Sequence, residues 1–370
     1  QSRGLGDVYK RQKALRAEME KRGITVYVVP TADFHESEYV GDHFKARKFI
    51  TGFTGSAGTA VITLDEAGLW TDGRYFVQAE NQLKDSTVTL YRMGEEGVPT
   101  VDEFVKDRLK EGGCLGFDGR VVNGTWGGKL EKIAAEKNVS MHVTEDLIDL
   151  IWEDRPALSK QPLFILEEKY SGKSTADKIA DLRKAMKENG ADIHILTSLY
   201  DIAWLLNIRG NDIDYVPVVL SYLVLNETEC IWCLQEEVVD DKIRAYLEEN
   251  HITTKPYDAI YDYVPEIPAD AVVLMNRGTV NYRIVNSLDK AIKVVDKPNP
   301  TELMKAVKNK TEVDNTRAAH VKDGVAFTKF MYWLKTNIGK IPMTEISASD
   351  YLEARRREQD NFIELSFNTI

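Results

Sequence analysis

The sequence has few cysteines and no long apolar run, and each of these absences excludes a class of protein. Three cysteines in 370 residues are too few, and odd in number, for a disulfide framework, which favours a reducing compartment. No apolar run approaches the ~20 residues that span a bilayer. A net charge of −11 argues against nucleic acid and anionic membranes as partners. We therefore expect a globular protein of a reducing compartment.

The two ends of the sequence differ from the rest. Residues 1–12 (QSRGLGDVYKRQ) lack both the apolar core of a signal peptide and a clear helical face. They predict a non-native or disordered leader, with a frayed native N-terminus as the alternative. Residues 362–370 alternate apolar and polar side chains, which predicts a half-buried strand. Because no turn or partner strand follows it, we expect a chain cut within a domain.

A set of landmarks occurs twice in the same order. Leu-Arg-x-x-Met, with glycine four residues later, begins at Leu15 and again at Leu182. Each copy continues into an apolar strand, an apolar segment that ends in glycine, and a hairpin. This repeat predicts two similar α/β domains. A proline-rich segment at 297–300 marks the next boundary. Helical patterns follow at 302–335 and 344–359, the second with Thr344 as its N-cap. The predicted domains cover 13–155, 156–300 and an incomplete third at 301–370.

Metal and thiol chemistry finds little support in the sequence. No two histidines stand four residues apart, so there is no HExxH pair. His35 with Glu36 and Glu38 could form part of a metal site, although a polar loop is the favoured interpretation. Cys230 and Cys233 form a CxxC motif, but in a strand two residues three apart point to opposite faces. The two thiols would then diverge, which favours a structural role.

Two glycine-containing turns are the remaining candidates. The repeat Gly52-x-x-Gly55-x-x-Gly58 lacks the GK[ST] of a P-loop and precedes a strand, so it predicts a tight turn with close backbone approach. The turn 72–74 (DGR) ends a strand, and its Arg74 could hold a carboxylate by two parallel hydrogen bonds. The alternative is a surface turn with a structural salt bridge. The residues alone thus give no nucleophile, general base or metal cluster.

Several longer segments, in order, resemble the three-domain Xaa-Pro aminopeptidases (aminopeptidase P). They are 53–60 (FTGSAGTA), 69–76 (LWTDGRYF), 147–156 (LIDLIWEDRP), 202–210 (IAWLLNIRG), 305–309 (KAVKN) and 343–348 (MTEISA). The resemblance implies an α/β fold of two similar creatinase-like domains, followed by the truncated start of a pita-bread α+β catalytic domain. It also implies a cytosolic metallopeptidase that removes the first residue from peptides with proline second.

The same resemblance implies how the chemistry is distributed. Two divalent metals, usually manganese, are bound in the family by two Asp, one His and two Glu, all downstream of the segments matched here. We therefore expect no catalytic residue and no metal ligand in this chain, which alone would be inactive. Arg74 is the residue expected to bind substrate, and the full-length enzyme is expected to be a homodimer. The alternatives are a stand-alone module for peptide binding or dimerisation, and a related prolidase- or creatinase-type hydrolase.

Overall fold

Helices and strands alternate along most of the chain. The computed structural model describes residues 2–369, and side chains over 6–369. The α-helices are α1 Ser2–Lys21, α2 Ala46–Thr51, α3 Phe76–Leu83, α4 Val101–Arg108, α5 Gly124–Glu136, α6 Glu168–Ser171, α7 Thr175–Glu188, α8 Leu199–Leu206, α9 Asp241–Glu249, α10 Ile260–Tyr263, α11 Tyr282–Ser287, α12 Pro300–Ala306, α13 Lys310–Asn337 and α14 Glu345–Arg357.

The strands form two large sheets and one small one. They are β1 Val26–Pro30, β2 Thr59–Thr63, β3 Ala67–Thr71, β4 Thr89–Arg92, β5 Cys114–Phe117, β6 Ser140–His142, β7 Phe164–Ile165, β8 Ile193–Leu196, β9 Ile208–Arg209, β10 Ser221–Asn226, β11 Cys230–Leu234, β12 Ile252–Pro256, β13 Val272–Met275 and β14 Lys293–Asp296. Short 3₁₀ helices lie at Asp42–Phe44, Gly73–Tyr75, Glu236–Val238, Tyr257–Ala259 and Val264–Glu266.

The two large sheets have the same topology. Sheet 1 has the order β4-β3-β2-β1-β5-β6, and sheet 2 has the order β12-β11-β10-β8-β13-β14. In both, the third strand in this order (β2 or β10) is antiparallel to its two neighbours, and the remaining pairs are parallel. This agrees with the repeat in the sequence. We call the elements on sheet 1 unit 1 (residues 2–152) and those on sheet 2 unit 2 (residues 164–296).

The central strands and the helix starts follow from local sequence. Strand β1 is apolar and buried at all five positions, as expected for a strand covered on both faces. Helix α5 begins after Asn123, whose side chain accepts the Trp126 N–H, and α7 begins after Ser174, whose side chain accepts the Asp177 N–H. Such caps satisfy backbone donors that the first helical turn leaves free.

Units 1 and 2 meet through equivalent loops, which exchange backbone hydrogen bonds in a two-fold pattern. The loop that precedes α5 in one unit pairs with the loop that precedes α11 in the other, and each donates to and accepts from its counterpart. The four bonds are Gly124 N–H to Val280 O at 2.8 Å, Tyr282 N–H to Val122 O at 2.7 Å, Thr125 N–H to Arg277 O at 3.1 Å and Arg283 N–H to Gly119 O at 3.0 Å.

Each unit also inserts side chains into the core of the other. Phe34 and Phe44 of unit 1 are buried in the hydrophobic cluster on sheet 2. Tyr282 of unit 2 is buried in a cluster on sheet 1, where its ring lies 5.7 Å from that of Phe117. Gly127 makes room for it, because a Cβ there would lie 2.1 Å from the Tyr282 ring. The two units therefore share their cores.

The helical region after residue 300 is interrupted, so the single helix predicted over 302–335 is wrong. Helix α12 ends at Ala306, and α13 begins after Asn309. The reason is local, because Asn309 forms a capping box with Glu312 and its side-chain N–H₂ also donates to the Ser171 carbonyl. The next prediction is confirmed, since Thr344 caps α14 by accepting the Ser347 N–H.

Both predicted ends need correction within the described residues. Helix α1 already begins at Ser2, and Val8 and Gln12 are buried, so residues 2–12 are not a disordered leader. At the other end, residues 362–369 form no strand, because no other described strand lies beside them to pair with. Instead the Glu364 carboxylate accepts the Tyr215 N–H at 2.9 Å. Gln1 and Ile370 lie outside the described residues.

Candidate functional site

Arg74 stands on a rigid turn at the end of β3, as the sequence predicts. The Asp72 carboxylate caps this turn by accepting the Arg74 N–H at 3.1 Å. The same carboxylate accepts the Arg74 side chain at two points, with Nε at 2.8 Å and Nη2 at 2.9 Å. This pairing lowers the pKa of Asp72 and raises that of Arg74. The guanidinium is thus held in one orientation and stays charged.

The Arg74 guanidinium remains open to an external partner. Its side chain is 70% exposed, and in the described part of the chain its Nη1 group has no acceptor. A guanidinium has five N–H donors in a planar fork, so the edge that faces away from Asp72 can still bind a carboxylate or carbonyl. The structure therefore supports both interpretations of this turn, since the salt bridge is present and a binding edge is left free.

The aromatic residue next to Arg74 connects this turn to residues 52–58, which we call the glycine-rich segment. The Tyr75 hydroxyl pairs with the Ser56 hydroxyl, and the Tyr75 ring packs edge-on against Phe53 at 6.0 Å. Gly55 lies between these rings, and a Cβ there would be 2.2 Å from the Phe53 ring. The close backbone approach predicted for the glycine-rich segment is confirmed at this residue.

A buried arginine lies behind the glycine-rich segment. Arg47, on α2, is 4% exposed and donates to Thr31 Oγ1 at 3.0 Å, to the Phe53 carbonyl at 2.6 Å and to the Gly55 carbonyl. Burial lowers its pKa to about 10, so it is cationic at neutral pH. Among the described residues, no carboxylate lies within ion-pair distance of it.

A cavity of about 270 Å³ adjoins Arg47. We call it the Arg47 cavity. Its wall is formed by α2 and the glycine-rich segment of unit 1, by 213–215 of unit 2, and by Asn368. Tyr215 has φ +66°, a left-handed conformation that is strained for a bulky residue. A space of this size accommodates a small ligand or a few atoms of a peptide.

The His35 site does not hold a metal. His35 is 2% exposed, and its Nδ1 lies 3.0 Å from the Thr197 carbonyl while its Nε2 pairs with the Tyr257 hydroxyl. Since Nδ1 must donate to the carbonyl, Nε2 is the acceptor of the tyrosine O–H in the neutral ring. Both ring nitrogens are therefore occupied by unit 2. His35 lies in a loop, as the favoured interpretation has it, but it is a buried contact between the units and not an exposed polar residue.

The other candidates for metal and thiol chemistry are also structural. Over residues 6–369, no group of three or more His, Cys, Asp or Glu side chains lies close enough to hold a metal ion. Cys230 and Cys233 are both buried and face different clusters on sheet 2, so the predicted divergence of the thiols is confirmed. Burial raises the pKa of Cys230 to about 12, which makes it a poor nucleophile.

Comparison with known families places this geometry in context. Residues 11–151 and 154–312 each match a family model described as a creatinase/prolidase N-terminal domain. The chain belongs to the creatinase/prolidase N-terminal domain family. The match covers both units and confirms the creatinase-like resemblance of the two segments.

Three relatives that resemble the chain over nearly its whole length are aminopeptidases by name. Probable Xaa-Pro aminopeptidase P of Sordaria macrospora is 39% identical over 97% of this chain and 61% of its own length. The Neurospora crassa protein of the same name is 38% identical, with 97% and 54% covered. Xaa-Pro aminopeptidase 1 of Dictyostelium discoideum is 33% identical, with 98% and 60% covered. The chain spans between 54% and 61% of the length of these relatives.

A solved structure has the same fold. X-prolyl aminopeptidase from Caenorhabditis elegans, described as a cytosolic enzyme with a di-nuclear active site, superposes with a TM-score of 0.92 at 31% identity, over 98% of this chain and 62% of that one. Within the residues described here, no helix has both the length and the apolar character needed to cross a bilayer.

Sequence reasoning identified Arg74 but missed Arg47. A signal for Arg47 is present, because it lies three residues before Ile50 within α2, which places a cation on the apolar face of that helix. A charged residue in such a position is either paired or used. The cavity itself has no local signal, since unit 1, unit 2 and Asn368 all contribute to its wall.

Proposed function

We propose that this chain carries the substrate-binding domains of an Xaa-Pro aminopeptidase, which removes the first residue from peptides with proline in second position. In this proposal, residues 13–155 and 156–300 are the two creatinase-like domains, and 301–370 contributes the first helices of a third, pita-bread domain. The similarity to enzymes of this name over 97% of the chain supports the substrate class.

The observation that carries the proposal is the geometry of Arg74. Its guanidinium is oriented by Asp72 through two hydrogen bonds and still presents an exposed edge with an unused Nη1. A carbonyl or carboxylate of a bound peptide is the partner that such a fork suits. Holding the peptide in one orientation speeds a hydrolysis because less freedom is lost on the way to the transition state.

The hydrolytic chemistry is proposed to lie elsewhere in the protein. Two divalent metal ions, with manganese as the proposed metal, would activate the attacking water and polarise the scissile carbonyl. The di-nuclear active site named for the nematode enzyme supports the number of metals. The donor sets of residues 6–369 do not fit such a pair. We therefore derive no step through the metals, and we propose that the 370-residue chain alone does not hydrolyse peptides.

We also propose where the protein is located and how it assembles. We propose a cytoplasmic location, which the cytosolic nematode enzyme supports. Three cysteines that are all unpaired and buried suit a reducing compartment. We also propose a homodimer as the assembly of the enzyme.

The test uses protein expressed from the complete reading frame that contains this sequence. Arg74→Ala should lower kcat/KM on short Xaa-Pro peptides at least about tenfold, since a charge-assisted hydrogen bond is worth ~1.5–3 kcal/mol. Arg74→Lys should recover only part of the loss, because a lysine cannot form the planar fork. Bound metal and Tm are measured on the same samples.

An exposed arginine of α9 provides the matched control. Arg244→Ala removes the same charge from a position with no ion pair in the described residues, and it should leave kcat/KM unchanged. Wild-type kcat/KM in Arg74→Ala would reduce Arg74 to a turn-stabilising residue. A fall in activity together with metal content or Tm would make its role structural. Release of the first residue by the 370-residue chain with added manganese would overturn the proposed distribution of chemistry.

A further inference from the structure

The charge of Arg47 is buried without a carboxylate partner. Three of its five N–H donors are used by two carbonyls and a threonine hydroxyl, which leaves one N–H on each terminal nitrogen. Carbonyl and hydroxyl oxygens satisfy donors, but they do not neutralise the cation. A buried cation without a counter-charge is costly, so an anion that reaches the remaining N–H groups of Arg47 would be bound favourably.

The residue that follows Arg47 adds a second free cation. Lys48 is exposed, lines the same cavity, and has no carboxylate within ion-pair distance among the described residues. Lys45, one turn earlier, differs because it is paired with Asp42 at 2.5 Å. Thr54 also lines the cavity, and its Oγ1 accepts from Gln78 and Gln82, which leaves its O–H as a donor. The cavity thus offers two unpaired cations together with a neutral donor.

Two carboxylates also line the Arg47 cavity. Asp214 is exposed, and Glu38 lies close enough to Arg74 to help raise the pKa of that guanidinium. Neither is within ion-pair distance of Arg47 or Lys48 in the described residues. Glu38 therefore lies near both sites, because it lines the cavity and also acts on the charge of Arg74.

From this geometry we propose that the Arg47 cavity binds the C-terminal carboxylate of a peptide whose N-terminal part is oriented by Arg74. The inference rests on the proposed function, and it adds a preference for short peptides with a free C-terminus. Lys48 would form an exposed ion pair with the carboxylate, Arg47 would donate its two remaining N–H groups from the buried side, and the Thr54 hydroxyl would donate as well. A peptide too long to fit between the two sites would contact only one of them.

The experiment is a binding titration that separates carboxylate recognition from peptide binding in general. Ala-Pro-Ala-Ala-Ala with a free C-terminus and the same peptide as its C-terminal amide are titrated into the 370-residue protein by calorimetry, with EDTA present so that stray metal ions do not bind the peptide carboxylate. The free acid should bind about tenfold more tightly than the amide, because a hydrogen-bonded ion pair is lost in the amide. The advantage should shrink at high salt.

Three variants assign the effect to residues. Lys48→Gln should reduce the advantage of the acid to less than about threefold, since only one cation remains. Lys84→Gln, an exposed lysine at the end of α3 outside the cavity, should leave the advantage unchanged. Arg47→Lys, used once circular dichroism shows it to be folded, should reduce the advantage because a lysine has fewer donors.

The outcomes separate this inference from the proposed function. Equal affinity for acid and amide, or a full advantage in Lys48→Gln, would overturn the carboxylate site. If Arg74→Ala still weakened both peptides in that case, the substrate-binding role would stand alone. Binding of neither peptide would overturn both the carboxylate site and the substrate-binding role of this chain.

Discussion

Asn123 and Asn281 pair with each other across the contact between the two units, and each is the N-cap of a helix in its own unit. The two asparagines occupy equivalent positions but carry different numbers of contacts. Asn281 is 3% exposed and also donates to the Phe34 carbonyl and the Tyr261 hydroxyl. The Asn123 amide is half-buried and donates only to Glu36.

This asymmetry predicts unequal effects of the same substitution. Asn281→Ala should lower the free energy of unfolding by about 3 kcal/mol, because it removes a helix cap and takes the donor away from the buried Phe34 carbonyl. Asn123→Ala should cost about 1 kcal/mol, the typical effect of a lost cap. Urea denaturation followed by tryptophan fluorescence measures both. Equal losses would mean that the buried contacts of Asn281 contribute little.

Gly55 should not tolerate a side chain. A methyl group there would meet the rings of Phe53 and Tyr75, so Gly55→Ala should lower stability by about 1–3 kcal/mol and loosen the turn that carries Arg74. Gly128→Ala, within α5 with nothing near the added Cβ, should instead raise stability by about 0.5–1 kcal/mol. Thermal unfolding of the pair tests the sign. A neutral Gly55→Ala would show that the rings move apart at little cost.

Lys178 holds the end of α8 from inside unit 2. It is 2% exposed, and its ammonium donates to the Trp204 carbonyl at 2.8 Å and to Asn207 Oδ1 at 2.6 Å. Lys178→Met retains the stem but leaves these acceptors unpaired, so it should cost about 2–4 kcal/mol. Lys184→Met, on the exposed face of the same helix, should change stability by less than about 0.5 kcal/mol. Chemical denaturation measures the free energy of unfolding of both variants. Similar losses for the two would contradict this role of Lys178.

His194 should make unit 2 sensitive to acid. Burial lowers its pKa to about 4 in the folded protein, whereas the unfolded chain binds a proton near the ordinary value of 6.5. Its contribution to stability is therefore complete above pH 6.5 and decreases as the pH falls from 6.5 to 4, by up to about 3 kcal/mol. His35, whose pKa burial also lowers, adds a loss of the same sign.

The test compares pH profiles of the free energy of unfolding. His194→Asn keeps a donor for the Leu274 carbonyl, which the Nδ1 of His194 approaches at 2.9 Å, but it cannot titrate. The variant should therefore lose less stability than the wild-type protein between pH 6.5 and 4.5. Parallel profiles would show that His194 does not contribute to the acid sensitivity.

Local patterns predicted what depends on neighbours in sequence. The N-cap at Thr344 and the opposite directions of Cys230 and Cys233 follow from side-chain chemistry and strand geometry within a few residues. The helix over 302–335 was wrong because Asn309 restarts the helix, and the apolar periodicity continues across the break. The strand predicted at 362–370 was wrong within the described residues because alternation alone does not supply a hydrogen-bonding partner.

Contacts between distant segments could not be predicted in this way. The burial of His35 in its loop could not be predicted, because its partners Thr197 and Tyr257 lie in the other unit. The Arg47 cavity likewise needs segments more than 150 residues apart in sequence. Arg74 was a candidate because of its turn, and a salt bridge there was the stated alternative; the structure identifies Asp72 as the partner in that salt bridge.

The exchange of Phe34 and Tyr282 between the two cores has a consequence for biosynthesis. Phe34 leaves the ribosome long before strand β13 and the loop that carries Asn281, so unit 1 emerges with an uncovered aromatic patch. At ~5–20 residues per second the patch would stay exposed for roughly ten seconds or more. We expect a nascent chain arrested at residue 155 to bind a chaperone at this patch, and arrest at residue 330 to release it. Site-specific crosslinking from Phe34 measures chaperone binding at the two lengths. Equal chaperone binding at both lengths would contradict this expectation and would mean that the patch is covered earlier.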